Sequence, residues 1–160
     1  MKNIEIEIKN NYKTRIYGTD DNTISIPAGV NFESENDTLE LFVKDLEKTK
    51  IGILPKSQGK LEISSTNKED IPRSIYLENL SYQKIELDLS GSHRIYVNDV
   101  ECDIDLNAID STITVYLSNA SLFKYAEAGV KNAVTSVCTG DTYIIEVNGK
   151  SNVVCINEEE

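Results

Sequence analysis

Several patterns that define whole protein classes are missing from this chain of 160 residues. No stretch approaches the roughly 18 to 20 consecutive apolar residues of a transmembrane helix, so insertion into a membrane is not expected. Cys102, Cys138 and Cys155 are odd in number and none belongs to a C-x-x-C pair, which predicts neither a full disulfide framework nor a zinc site. Buried thiols are expected, and pairing of Cys138 with Cys155 stays open for an exported protein.

Positive charge is scarce as well. The formal net charge is −11 and the isoelectric point is about 4.6, so phosphate backbones and anionic lipid surfaces are repelled by the overall field. No dense basic cluster occurs beyond Lys44, Lys48 and Lys50, which interleave with acidic residues and are expected to be solvated. Nucleic acid is therefore not predicted as a partner.

Histidine occurs once, as His93, directly after Ser90-Gly91-Ser92 and near Asp88. Neighbouring residues of a tight turn cannot align a nucleophile, a base and an orienting group, so His93 is predicted to be an exposed turn residue. Phosphate-binding loops, H-E-x-x-H and nucleotide fingerprints are absent from the sequence. The chain is therefore expected not to be an enzyme.

What the chain does contain is a repeat. Tyr76, Tyr96 and Tyr116 are 20 residues apart, and each lies between two aliphatic residues. A fixed period of this kind is typical of stacked architectures, in which each unit buries its apolar face on its neighbour. The prediction is an all-β fold built as a single-stranded β-solenoid with repeats of about 20 residues. An antiparallel β-meander or sandwich has a similar period and is the alternative.

The chain is expected to form one domain. The predicted divisions are an irregular β part at 1–63, a polar loop at 64–74, a repeating β part at 75–157 and an acidic tail at 158–160. Within the first part, short strands are predicted at 12–17, 23–26 and 30–33. Residues 37–49 fit helical and strand spacing equally, and the neighbouring strands favour a strand.

Carboxylates gather in the repeating part. Glu101, Asp103 and Asp105 alternate with apolar residues, so they share one outward strand face. If units stack, Glu86 and Asp88 are expected beside Asp103 and Asp105. Like charges opposite each other destabilise a sheet, so either solvent screens them or a cation binds there. The five residues define a weak candidate cation site, with Ca²⁺ as the ion.

The three repeated tyrosines are expected to face outward, because their aliphatic neighbours face inward. An exposed aromatic row beside polar residues suits the binding of a carbohydrate or protein surface. Stacking that only stabilises the sheet is the other interpretation. Tyr82, Tyr125 and Tyr143 are expected to widen this surface.

Residues 84–121 resemble the autotransporter adhesin head domain family of bacterial proteins. Leu89-Ser90-Gly91-Ser92, between two alternating strands, carries the likeness, and Asp37-Thr38-Leu39-Glu40-Leu41 is similar to the family's first part. The resemblance implies a right-handed β-helical solenoid with no known catalytic residues and an adhesive role. Family members usually carry a leader, whereas this chain opens with an alternating strand pattern at 1–12.

The sequence thus favours a non-catalytic, adhesin-like binding module that presents an acidic, tyrosine-bearing surface. The alternative is an intracellular or phage-borne acidic protein that blocks a basic partner by charge mimicry. A third reading, an enzyme acting on carbohydrate, has carboxylates available but no pair that stands out. The first places the protein at the cell envelope or outside the cell, the second in the cytoplasm. Self-association into a homo-oligomer stays open.

Overall fold

The computed structural model describes residues 2–128, 133–136, 138–149 and 152–157, and it confirms the all-β prediction. A single turn of 3-10 helix spans Ala120–Leu122. The strands are β1 (Asn3–Lys9), β2 (Lys13–Gly18), β3 (Asn31–Glu35), β4 (Thr38–Lys44), β5 (Lys48–Ile53), β6 (Lys60–Thr66), β7 (Arg73–Leu80), β8 (Lys84–Val100), β9 (Ile104–Leu117), β10 (Phe123–Ala128), β11 (Ala133–Ser136), β12 (Tyr143–Asn148) and β13 (Asn152–Asn157).

The strands pair in parallel as two ladders, and the chain contributes one strand to each ladder per layer. The first ladder runs β4, β1, β6, the first half of β8, the first half of β9, β12 and β10. The second runs β5, β2, β7, the second half of β8, the second half of β9, β13 and β11. Among the strands that the structure describes, only β3 pairs antiparallel, on β4. Parallel pairing at this period is what stacked layers require and a meander does not give.

The stacking order departs from the chain order at both ends. The first strand, β1, lies between β4 and β6, so the start of the chain is enclosed by two later layers. Near the other end, β12 lies between β9 and β10 in the same way. Residues Ile4, Ile6 and Ile8 are at most 3% exposed as a result. The first strand is therefore an interior element of the core.

Strict alternation builds that core. Along the first half of β8, Ile85, Leu87 and Leu89 face inward while the residues between them face solvent. Each inward residue lies in register with an aliphatic or small residue of the neighbouring strand. Burial of such stacked aliphatic columns is the main stabilising term, at roughly 25 cal/mol per Å² of apolar surface.

The Ser-Gly-Ser segment forms the corner where β8 passes from one ladder to the other. The register shifts between Ser90 and Ser92, and Gly91 has a φ of +92°. A side chain at Gly91 would also collide with the carbonyl oxygen of Asn67. Asp110 turns the same corner in β9 with a φ of 51°, as Asp45 does between β4 and β5 with a φ of 57°. Short polar residues and glycine tolerate this left-handed backbone best.

Most predicted strands are present, with local corrections. The ambiguous segment 37–49 forms β4 and the start of β5, as the strand prediction had it. The strand predicted at 23–26 is wrong: only one antiparallel bridge forms there, between Ser25 and Gly52. The polar loop is shorter than predicted and spans 67–72, since β6 and β7 extend into both of its ends.

The enclosed position of β1 leads to a stability prediction. Replacing Ile6 by Ala should lower the free energy of unfolding by about 2 to 5 kcal/mol, because Ile6 is 1% exposed and a cavity would remain. Urea unfolding measures the change. As a control, Phe32→Ala on β3 removes a larger side chain that is 59% exposed and should have a much smaller effect. Equal losses would contradict an interior β1.

Candidate functional site

The three repeated tyrosines lie in one column on the outer face of the second ladder. The ring centroids of Tyr76 and Tyr96 are 4.4 Å apart with an interplanar angle of 9°, and those of Tyr96 and Tyr116 are 4.6 Å apart with an angle of 6°. The column arises because β7, β8 and β9 pair in register with a tyrosine at the same position. All three rings are partly exposed. We call this row the tyrosine column.

The faces of these rings are largely occupied. Each tyrosine covers a face of its neighbour, and the guanidinium of Arg15 lies 4.7 Å from the centroid of Tyr76. The column therefore presents ring edges and phenol hydroxyls to solvent, and ring edges carry the positive part of the aromatic quadrupole. Burial first, and then the neighbouring phenols, raise the pKa of Tyr96, so its hydroxyl stays a neutral donor.

The other tyrosines do not widen the column, contrary to the sequence-based expectation. Tyr82 is 4% exposed and donates a hydrogen bond to the carbonyl oxygen of Leu54 at 2.7 Å. Tyr125 and Tyr143 pack against the core instead of joining the outer face. Strand alternation places Tyr125 and Tyr143 on the inward side, and Tyr82 lies in the connection between β7 and β8.

A group of cations lies directly beside the tyrosine column. Lys13 and Arg15 of β2 lie in register with Lys48 and Lys50 of β5, and all four side chains are exposed. Together with Thr49 and Tyr76 they line a groove of about 440 Å³. We call this the basic groove. Lys48 and Lys50 are exposed, as the sequence-based expectation had it, but their clustering with Lys13 and Arg15 was not predicted.

A signal for the basic groove was present in the sequence. Lys13-Thr14-Arg15 and Lys48-Thr49-Lys50 are the same pattern 35 residues apart, and they follow Glu5 and Glu40 at the same offset. The register of β1 on β4 and of β2 on β5 follows this offset throughout. This 35-residue offset is easily missed, because the second half of the chain repeats with a different period of 20 residues.

The cations of the groove have few acidic partners. Arg15 forms an ion pair with Glu78 at 3.2 Å, and the ammonium of Lys50 lies 4.8 Å from the ring centroid of Tyr17. Within the part of the chain that the structure describes, no carboxylate lies within 4.0 Å of the Lys13, Lys48 or Lys50 ammonium groups. Positive charge is thus concentrated locally on a chain whose net charge is −11.

The outer face of the first ladder has the opposite character. One carboxylate per layer lies in register along six neighbouring strands, at the ladder interval of about 4.8 Å. We call this the acidic column; its members are Glu40, Glu5, Glu62, Glu86, Asp105 and Glu146. The acidic residues and the tyrosines therefore occupy different ladders, whereas the sequence suggested one shared surface.

Lysines neutralise the middle of the acidic column. The ammonium of Lys60 lies 3.1 Å from Glu62 and 3.2 Å from Glu86, and these hydrogen bonds raise the pKa of Lys60. Lys84 pairs with Asp105 at 3.0 Å. Glu5 has no such ion pair among the described residues. Burial, followed by the charges of Glu62 and Glu40, raises the pKa of Glu5.

The five residues of the candidate cation site are not gathered in one place. Glu86 does lie opposite Asp105, but Asp88 lies opposite Asn107 and accepts a hydrogen bond from its amide at 2.7 Å. Asp103 accepts the backbone N–H of Ile144 at 2.9 Å. Glu101 is exposed on the connection before β9. Among the described residues no three His, Cys, Asp or Glu side chains are placed to hold a metal ion. Of the four carboxylates expected side by side, only Glu86 and Asp105 lie in register, because β8 and β9 pair at an offset of 19 residues in this ladder.

His93 is buried, which corrects the prediction of an exposed turn residue. It is 1% exposed, with Nε2 2.8 Å from the hydroxyl of Ser65 and Nδ1 3.3 Å from the carbonyl oxygen of Gly91. A neutral ring that donates through Nδ1 accepts the Ser65 hydroxyl at Nε2. Ser65 lies on the inward side of β6 and is 6% exposed, so this pair holds the corner together from inside.

Burial, together with the charge of Arg73, lowers the pKa of His93 to about 4. The cysteines are also sheltered: Cys102 and Cys155 are buried and Cys138 is partly buried. Burial raises the pKa of the Cys102 thiol to about 11, so it is protonated near neutral pH.

A groove of about 630 Å³ lies at the C-terminal ends of the first-ladder strands. Its walls include Glu7, Ser64, Asp88, Asn107 and Asp110. Asn107 bonds to Asp88 and also accepts the amide of Asn148 at 2.9 Å, so these groups bind each other along the ladder.

No helix among the described residues is long and apolar enough to span a membrane.

The acidic column leads to a salt-dependent prediction. Glu5→Gln should raise the free energy of unfolding by about 0.2 to 1 kcal/mol, because Glu5 faces a like charge on both sides. The gain should shrink as NaCl increases from ~0.05 to ~0.5 M, since salt screens exposed charges. Urea unfolding at both salt concentrations tests this. Glu35→Gln, whose register partner is Thr38, is the control and should show no gain.

His93 leads to a pH-dependent prediction. Its folded pKa of about 4 lies below the unfolded value of 6.5, so only the unfolded chain binds a proton between these values. Stability should therefore fall as the pH drops from 6.5 to 4, by about 3 kcal/mol from this residue. Urea unfolding at pH 7.5 and 4.5 should show a larger loss for the natural protein than for His93→Gln. Equal losses would show that His93 does not titrate as stated.

The fold has a counterpart among solved structures. The crystal structure of a "putative cell adhesion protein" from Clostridium sporogenes ATCC 15579 matches with a TM-score of 0.54 and 15% sequence identity, covering 97% of this chain and 90% of that one. No protein-family model matches the chain, and no curated protein matches it significantly by sequence. At this level of identity the likeness shows a shared fold alone.

Proposed function

We propose that the protein is a non-catalytic, adhesin-like β-solenoid that binds a carbohydrate or protein surface through its second ladder. The tyrosine column carries this proposal. Three partly exposed rings, stacked 4.4 and 4.6 Å apart, form a rigid row on a flat sheet face. Stacking fixes the rings before any ligand arrives, so little conformational entropy is lost on binding.

The description of the Clostridium sporogenes neighbour as a cell adhesion protein agrees with an adhesive role, and the match spans nearly the whole of this chain. An adhesive role also agrees with the family resemblance of residues 84–121. A location at the cell envelope or outside the cell follows from this proposal. The buried pair of Ser65 and His93 supports a structural role for the single histidine, because both side chains face the core.

The acidic column favours a second candidate function. Six carboxylates in register form a continuous acidic edge that complements a basic partner, as expected of an intracellular or phage-borne protein that blocks such a partner. Poly-L-lysine binding at ~0.05 M salt tests this electrostatic reading. A double variant, Glu5→Gln with Glu40→Gln, should weaken it, and no binding by the natural protein would end this candidate.

The first proposal is tested with labelled protein on an array of immobilised glycans and extracellular proteins. Tyr96→Ala should weaken binding by about tenfold or more, since the central ring supports both neighbours. Tyr96→Phe keeps the stack and removes only the phenol hydroxyl, so its loss should be smaller. The two variants separate ring contact from hydrogen bonding.

Phe32→Ala is the matched control, because Phe32 is an exposed aromatic residue on β3, away from the second ladder. It should bind as the natural protein does. Thermal unfolding must show that Tyr96→Ala is still folded at the assay temperature. Unchanged binding by a folded Tyr96→Ala variant would remove the tyrosine column as the binding surface.

A further inference from the structure

The basic groove contains three lysines, Lys13, Lys48 and Lys50, that form no ion pair among the described residues. Lys13 lies opposite Lys48, and Arg15 lies opposite Lys50, in a parallel ladder whose strands are about 4.8 Å apart. Like charges directly opposite each other in a sheet are destabilising. The acidic column shows the contrast, because there Lys60 and Lys84 lie between the carboxylates. An anion bound in the basic groove would neutralise the cations there, as these lysines neutralise the carboxylates.

The groove continues into the tyrosine column. Arg15 covers the outer ring face of Tyr76, so the line of side chains along the ladder runs Lys50, Arg15, Tyr76, Tyr96 and Tyr116. Cations, positive ring edges and phenol hydroxyls all favour electron-rich oxygen atoms. The exposed Arg94 flanks this line on β8, in register with Ser74. The whole strip therefore favours a ligand rich in anionic and hydroxyl oxygens.

The shape of the strip narrows the class of ligand. A peptide laid on this face would find its backbone groups without partners, because the ladder already uses the backbone N–H and C=O groups of these strands. The four cations of the basic groove are confined to two neighbouring strands and a volume of about 440 Å³, which suits one or two anionic groups and not the phosphate rows of a duplex. A saccharide chain carries acidic groups and hydroxyls together, so it matches both parts of the strip.

We propose that the basic groove binds an acidic group of an anionic polysaccharide, with the sugar chain continuing along the tyrosine column. This inference rests on the proposed function and names its ligand class. Sulfate and carboxylate groups share the required chemistry. Lys13, Lys48 and Lys50 supply charge, Arg15 adds guanidinium hydrogen bonds, and the phenol hydroxyls bind sugar hydroxyls.

Fluorescence anisotropy with labelled heparin fragments, carrying sulfate, and polygalacturonate fragments, carrying carboxylate, tests this proposal. Binding of at least one of these should weaken as NaCl rises from ~0.05 to ~0.3 M, because the contacts are electrostatic. The double variant Lys13→Gln with Lys48→Gln should weaken binding about tenfold or more. Removing two facing charges should leave its melting temperature unchanged or higher.

The chain offers a closely matched control. Lys9 and Lys44 are also exposed and face each other in register between the same two layers, but on the first ladder. Lys9→Gln with Lys44→Gln changes the net charge by the same amount and should alter binding less than about twofold. If the two double variants lose binding affinity equally, the effect depends only on net charge, and the basic groove is not a binding site.

Other outcomes separate this inference from the proposed function. Failure of both acidic polysaccharides to bind would overturn the groove proposal, as would tighter binding of duplex DNA or polyglutamate. If Tyr96→Ala abolishes array binding while the Lys13 and Lys48 variant does not, the proposed function stands and the anionic ligand is wrong. If the Lys13 and Lys48 variant loses heparin or polygalacturonate binding and Tyr96→Ala does not, the basic groove is supported as a binding site and the tyrosine column is rejected as one.

Discussion

In-register parallel pairing is the constraint on which the rest of this structure depends. Each layer places its residues about 4.8 Å from the equivalent residues of the next layer, so outward side chains of successive layers lie side by side in columns. Aliphatic columns gain stability from burial, and tyrosines gain it by stacking, as Tyr76, Tyr96 and Tyr116 do. Charged columns lose stability unless an opposite charge lies between them.

The two ladders meet that constraint differently. On the first ladder, Lys60 and Lys84 reach across to the carboxylates of neighbouring layers, whereas Glu40, Glu5 and Glu146 have no such ion pair among the described residues. On the second ladder, Lys13 and Lys48 have no carboxylate partner in the part of the chain that the structure describes, and they lie beside the phenol hydroxyls of the tyrosine column. The net charge of −11 therefore conceals an uneven distribution, in which one face suits cations and another suits anions.

The stacking order of the layers differs from the chain order at both ends, and this affects both folding and edge protection. Because β1 lies between β4 and β6, two of the early layers depend on contacts between residues more than 30 positions apart. Such contacts close long loops, which slows folding. In return, the first strand is protected on both sides, and the edge of the first ladder is covered by the antiparallel strand β3. A covered edge resists pairing with other chains.

Several structural features could be predicted from the residues alone. The spacing of Tyr76, Tyr96 and Tyr116 indicated neighbouring rings, and alternation of apolar and polar residues located most strands, including β4. The physical reason is that side-chain direction in a strand is a local property with a period of two. The tyrosine column was accessible because its period is short and regular.

The sequence by itself thus determined an all-β chain of stacked layers with a tyrosine row. Only the tertiary structure decided which layers are neighbours, and with it the position of every charged side chain. The basic groove exists because β2 pairs with β5 across 35 residues, and Asp88 faces Asn107 because β8 and β9 pair one residue off the main period. His93 is buried for a related reason: the corner turns its ring toward Ser65, 28 residues away. Layer order and corner geometry follow from packing of the whole chain, which no local pattern encodes.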